Sequence, residues 1–265
     1  MDKTSIIVQF RSMVENLPSS KKNLDVAKNL VNFALESKNS IGITDPDFLR
    51  ILSAIQEAIT YFVNENKIRE ATLLVDTYID LLEEINNPTE TIARTKEISS
   101  VFFSKKDSTY HIYCEDLVNR VVSILDDDSR LKELGALLIE IAENLQKLKI
   151  HEMAINYYER GITYLIDAND KDLVLNEIQK LLETVRVLSL KNNEYSNQYM
   201  DLINSLVTDA NIDLSKDTNT QLAYQSYSDH LLKSSKDVVE SRTSKSGRLA
   251  KKKREFFKKK VIDED

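Results

Sequence analysis

Two consecutive amphipathic segments between Ser129 and Ala168 most constrain how this chain can fold. In each segment apolar side chains recur at steps of three and four residues, and a short polar break at 147–149 separates them. This spacing places the apolar side chains on one face of each of two helices. The faces comprise Leu134, Leu137, Leu138, Ile141, Ala142 and Leu145, and then Met153, Ala154, Tyr157, Tyr158, Gly161, Ile162 and Leu165. Because neither helix can bury its face alone, the pair predicts neighbouring helices.

Similar helix pairs recur along the chain with a period of about 40 residues. The first helices of the candidate pairs begin near Thr4, Asp47, Thr89, Ser129 and Lys171. Periods of this length are typical of solenoids built from helix hairpins. The pattern therefore predicts about 11 helices in one repeat domain over residues 1–240. An irregular helical bundle is the alternative, because helices of similar length also give a loose period.

The scarcity of glycine supports an all-α chain. Only 4 of the 265 residues are Gly and 3 are Pro, whereas sheet turns and phosphate-binding loops depend on glycine. The single cysteine, Cys114, excludes an internal disulfide and suggests a reducing compartment. No apolar run approaches the roughly 20 residues that span a bilayer. We therefore expect a soluble, cytoplasmic protein.

Three groups of polar residues predict helix starts. Asp45 is expected to cap a helix that has Pro46 in its first turn, and Thr89 is expected to cap the helix after Pro88. The acids at 126–128 are expected to open the helix that follows them, since a helix N-terminus favours negative charge.

The pair at 129–168 resembles a tetratricopeptide repeat (TPR). Its hydrophobic and small positions match at Leu138, Ile141, Ala142, Leu145, Ala154, Tyr158 and Gly161. It differs in that Ile166 stands where a proline usually closes the second helix, and the repeats are longer than the usual 34 residues or so. The resemblance implies an all-α, right-handed α-solenoid of antiparallel helix pairs that binds a protein partner on its concave surface. In the TPR register that surface would include Gln56, Thr60, Asn64, Glu143, Gln146 and Lys147.

The sequence offers no pattern typical of an enzyme. Phosphate-loop, dinucleotide, zinc-protease and serine-hydrolase motifs are absent. His111 and Cys114 lie three residues apart, but His151 and His230 are far away in sequence, and a metal would need further ligands. We therefore predict no catalytic residue, no metal site, no cofactor and no small-molecule substrate. The expected function is that of an adaptor or scaffold whose partner is a protein.

The C-terminal segment 241–265 differs in charge from the rest of the chain. Residues 242–260 contain ten Lys or Arg and one Glu, a charge of +9, so the remainder of a chain with net charge −7 carries −16. The candidate polyanion-binding residues are Arg248, Lys251, Lys252, Lys253, Arg254, Lys258, Lys259 and Lys260. Three hypotheses stay open for this tail: a solvated disordered extension, an anionic-membrane contact aided by Phe256 and Phe257, or nucleic-acid binding or nuclear import. The acidic body favours a basic or mixed protein partner.

Overall fold

The computed structural model of the chain describes residues 2–126, 128–191, 193–212 and 220–226. These residues are all-α and include no β-strand. The α-helices are α1 (Lys3–Glu15), α2 (Asn23–Ile41), α3 (Phe48–Asn64), α4 (Ile68–Ile85), α5 (Pro88–Phe103), α6 (Ser108–Leu125), α7 (Leu131–Lys147), α8 (His151–Asp167), α9 (Lys171–Ser189) and α10 (Tyr195–Asp209). Residues 220–226 are also helical, and single 3-10 turns occupy Leu17–Ser19 and Asp128–Arg130. The predicted all-α class is confirmed.

Polar residues close the helix ends. Asp2, Asn87 and Asp107 each accept a backbone hydrogen bond with the side chain at the start of α1, α5 and α6, which satisfies an otherwise unpaired N–H. The connections after α3, α4, α7, α8 and α10 each contain one residue with positive φ, namely Asn66, Asn86, Lys149, Asn169 and Asn211. Asparagine tolerates this left-handed conformation better than most residues.

The predicted helix starts need correction. Asp45 does not cap α3: its carboxylate accepts the backbone N–H of Asp47 at 2.9 Å within a turn, and α3 begins only at Phe48. Thr89 does not cap α5 either, because Asn87 holds that position and Pro88 is the first helical residue. Asp126 follows α6 as its C-terminal cap and does not open α7.

The packing divides the chain into two units, and the first ends at Asp170. Within this unit the helices contact both their chain neighbours and the helices two positions along the chain. The second type of contact joins α1 to α3, α3 to α5 and α5 to α7, and it also joins α2 to α4 and α4 to α6. This pattern is compatible with a helical repeat.

Side-chain hydrogen bonds reproduce the predicted period. Gln56 pairs with Glu97, and Arg94 donates to the Ser53 hydroxyl; both pairs lie 41 positions apart in the chain. On the other set of helices Arg120 donates to Asp80, 40 positions away. These bonds connect α3 with α5 and α4 with α6, so the period of about 40 residues corresponds to helices that touch.

α7 and α8 approach each other closely where two glycines meet. A Cβ atom on Gly135 would lie 2.8 Å from the carbonyl oxygen of Gly161, and a Cβ atom on Gly161 would lie 2.9 Å from that of Gly135. Ala142 and Ala154 are fully buried. The small residues therefore let the two helix backbones approach.

The second unit begins at Lys171. In it α9 packs against α10. The segment 220–226 is tied to these helices by hydrogen bonds from Gln179 to Thr220 (2.9 Å) and from Tyr224 to Asn204 (2.6 Å). The predicted domain limit at residues 240 and 241 lies outside the described residues and stays a prediction.

No helix within the described ranges is long and apolar enough to cross a membrane.

Candidate functional site

A groove between α3 and α5 contains two of the residues predicted to bind a partner, Gln56 and Thr60. We call it the α3–α5 groove. Its lining residues are Ser53, Gln56, Glu57 and Thr60 from α3, and Glu90, Ala93, Arg94 and Glu97 from α5. Each set follows the three- and four-residue spacing of one helix face, so two neighbouring first helices form the two walls.

Arg94 forms the floor of the α3–α5 groove. It is only 9% exposed, and its Nε donates to Glu90, one helical turn earlier, at 2.6 Å. One terminal nitrogen donates to Gln56 (3.1 Å) and to the Tyr78 hydroxyl (3.3 Å). The other lies within hydrogen-bond distance of the Ser53 hydroxyl (3.3 Å) and the carbonyl oxygen of Leu49 (3.4 Å). A buried guanidinium is stable only with such partners.

Gln56 links the two walls of the groove to α4. Its Oε1 accepts hydrogen bonds from the Tyr78 hydroxyl (2.9 Å) and from Arg94, while its Nε2 donates to Glu97. Burial raises the pKa of Tyr78, so its hydroxyl stays protonated and can donate to Gln56. This side chain is therefore fixed by the fold, with both ends of its amide in use.

The open side of the groove carries negative charge. Glu90 is neutralised by Arg94. Glu97 is exposed and bonds only to the neutral amide of Gln56, and Glu57 is exposed and makes no ion pair or hydrogen bond within the described part of the chain. Because Arg94 pairs with Glu90, the carboxylates without an ion pair among the lining residues are those of Glu57 and Glu97.

The other predicted partner-binding residues lie away from this groove. Asn64 is exposed at the end of α3, where its carbonyl oxygen accepts a hydrogen bond from Lys105 at 3.0 Å. Glu143, Gln146 and Lys147 lie near the end of α7, and the Gln146 side chain accepts a hydrogen bond from the Tyr158 hydroxyl at 2.8 Å. The eight basic residues of the tail lie outside the described residues.

Sequence reasoning did not find Arg94, Glu90, Glu97 and Tyr78. One signal was present: Arg94 lies on the same face of α5 as the buried Thr91, Thr95 and Ile98, with Glu90 four positions before it. A charged residue at a core-facing position, with an opposite charge one turn away, indicates a buried pair.

His111 lies near a helix turn, and Cys114 is buried in the core. The Nε2 of His111 lies 2.7 Å from the carbonyl oxygen of Lys105, next to the turn between α5 and α6. Cys114 is fully buried, and burial raises the pKa of its thiol. Its sulfur is 3.8 Å from the carbonyl oxygen of Ser99. These two side chains serve packing and turn geometry.

No known protein family, curated protein or solved structure matches this chain. The resemblance to TPR proteins therefore depends on the residues of α7 and α8 and on the helix contacts described above.

Proposed function

We propose that this chain is a non-enzymatic protein-interaction module, an adaptor or scaffold of the TPR-like type. In this proposal the helices form a right-handed solenoid of antiparallel pairs, and the first helices present the binding surface. The α3–α5 groove is its best-defined part, because Arg94, Gln56 and Tyr78 hold its walls in fixed positions. Such a pre-ordered surface loses little conformational entropy when a partner segment binds.

One observation supports the proposal most: the groove has a rigid polar floor, and the exposed carboxylates of Glu57 and Glu97 at its opening have no ion pair within the described residues. Internal packing alone explains Arg94 and Tyr78. Glu57 and Glu97 stay exposed beside this network and are available to a partner. Asn64, Glu143, Gln146 and Lys147 extend the proposed surface along α3 and α7, and their contribution to binding stays a prediction.

The experiment compares quantitative affinity purification of three full-length proteins. The groove variant Glu57→Lys/Thr60→Lys places two long side chains at the opening. The control variant Glu83→Lys/Ser123→Lys makes substitutions of the same kind at exposed positions of α4 and α6. We expect at least a fivefold loss of specific partners from the groove variant, with recovery unchanged for the control. Equal recovery by all three proteins would rule out the groove as the binding surface.

The second candidate function is binding of nucleic acid or an anionic membrane through the C-terminal tail. The charge of +9 within residues 242–260 favours it, because clustered Lys and Arg release counterions from polyanions. Deletion of residues 241–265 separates the two functions. It should abolish binding to duplex DNA, RNA or phosphatidylserine vesicles under the second proposal and leave partner recovery intact under the first.

A further inference from the structure

We infer that the α3–α5 groove selects a positively charged side chain, lysine or arginine, within an exposed segment of its protein partner. The inference rests on the proposed function and names the chemistry of the partner. It follows from which hydrogen-bonding groups of the groove are already used inside the fold and which remain available to a ligand.

The charged donor of the groove is occupied. Arg94 is the one cationic side chain among the lining residues, and its three nitrogens donate to Glu90, Gln56, Tyr78, Ser53 and the carbonyl of Leu49. The Nε2 of Gln56 donates to Glu97. To pair with Arg94, an incoming carboxylate or phosphate would therefore have to break one of these bonds, and breaking a buried charged hydrogen bond is costly.

The acceptors of the groove are available. Each carboxylate has two oxygens and room for about four hydrogen bonds. Glu97 uses one oxygen for Gln56, and Glu57 uses none within the described residues. Thr60 lies one turn after Glu57 on the α3 wall, and its hydroxyl can accept a further hydrogen bond, while Glu97 belongs to the α5 wall. A guanidinium or ammonium group brings only donors, so it complements this set without disturbing the network.

The net charge of the lining residues favours the same kind of partner segment. Glu90 and Arg94 cancel, so the lining residues retain the two negative charges of Glu57 and Glu97. An acidic segment would be repelled by these charges and would find no free charged donor. A neutral apolar segment would leave both carboxylates partly desolvated without compensation. A segment with Lys or Arg is the occupant that satisfies both carboxylates.

The test uses the full-length chain and three labelled 12-residue peptides in which Ser alternates with Arg, Glu or Gln. Fluorescence anisotropy gives the affinities, and backbone amide NMR shifts locate the site. We expect the Arg peptide alone to shift amides at 53–60 and 90–97, and its binding to weaken as salt rises. Glu57→Gln/Glu97→Gln should weaken binding about five- to tenfold, as for loss of two partly exposed ion pairs.

The matched control, Glu83→Gln/Glu152→Gln, removes two exposed carboxylates from α4 and α8 and should change affinity less than twofold. The single variant Glu57→Gln is a check on folding, because Glu57 makes no hydrogen bond or ion pair within the described residues. The inference would be overturned by equal weakening from both double variants, by Glu-peptide shifts at 53–60 or 90–97, or by Arg-peptide shifts confined to other residues. Affinity purification with the Lys variants tests the proposed function separately. If recovery of partners depends on the groove but the Arg peptide does not bind there, the proposed function stands and only the inference of a cationic partner segment is refuted.

Discussion

Gly135 and Gly161 face each other across α7 and α8, so closely that neither position has room for a methyl group. A Cβ atom on Gly135 would approach both the Gly161 carbonyl oxygen and the Leu165 side chain at 2.8 Å. Real Cβ atoms do not approach a backbone oxygen this closely, so the helices would have to move apart. The contact therefore requires glycine at both positions.

We therefore predict that Gly135→Ala and Gly161→Ala each lower the free energy of unfolding by about 1–3 kcal/mol, a usual cost of overpacking. The better helix propensity of alanine, worth about 1 kcal/mol over glycine, offsets part of this cost. Urea denaturation followed by circular dichroism measures the change. Ala136→Ser, at the adjacent exposed position, should change stability by less than about 0.5 kcal/mol. A glycine variant as stable as the control would contradict the close contact.

The sequence predicts the limits of the helices better than the contacts between them. The limits of α4 and α6 match the apolar periodicity, because a buried face repeats every three to four residues. Gly161 was recognisable as a close-packing position from its place on that face. Gly135 was not, because its partner is defined only once α7 and α8 are brought together.

The candidate site shows the same limit. Gln56 and Thr60 could be placed on one face of α3 from the TPR register. Arg94 and Tyr78 could not be joined to them, since the three helices that contribute these side chains are separate in sequence and meet only through packing. The mistaken cap at Asp45 has a local cause: an aspartate can satisfy the backbone of a turn as readily as that of a helix.

Tyr78 provides a test of the buried network. Tyr78→Phe removes a hydroxyl that donates to Gln56 and lies 3.3 Å from a nitrogen of Arg94. Because Tyr78 is 1% exposed, water does not replace the lost group. We expect the free energy of unfolding to fall by about 1–2 kcal/mol. The control Tyr61→Phe, at a half-buried tyrosine of α3, should cost less than about 0.5 kcal/mol. Equal stability of the two variants would show that the network contributes nothing.

His151 at the start of α8 should make stability depend on pH. Burial lowers its pKa, with Lys149 adding to the effect, so near pH 6 the unfolded chain binds more protons than the folded chain. The free energy of unfolding should then fall as pH is lowered from about 7 to 5. His151→Gln should reduce this loss, measured as the difference in melting temperature between the two pH values. NMR titration of the His151 ring should give a pKa below that of a model histidine, and a higher value would contradict the prediction.

Arg120 tests whether the ion pairs between α4 and α6 contribute stability or follow from packing. Its guanidinium lies 3.0 Å from Asp76 and 2.9 Å from Asp80. Both carboxylates are more than 60% exposed, and exposed pairs contribute little because water and salt screen them. We expect Arg120→Ala to lower the free energy of unfolding by less than about 1 kcal/mol. The loss should be smaller still in about 0.5 M salt, because the Debye length there is only about 4–5 Å.

The comparison variant is Leu117→Ala on the same helix. Leu117 is 3% exposed, so its truncation should cost about 2–4 kcal/mol through lost burial and the remaining cavity. Urea denaturation of both variants at low and high salt distinguishes the two contributions. If apolar packing fixes the alignment of α4 with α6, the Leu117 variant is the less stable one at both salt concentrations, and its loss is independent of salt. If Arg120→Ala costs as much as Leu117→Ala, the ion pairs hold the two helices together, and the period of about 40 residues has an electrostatic basis as well as an apolar one.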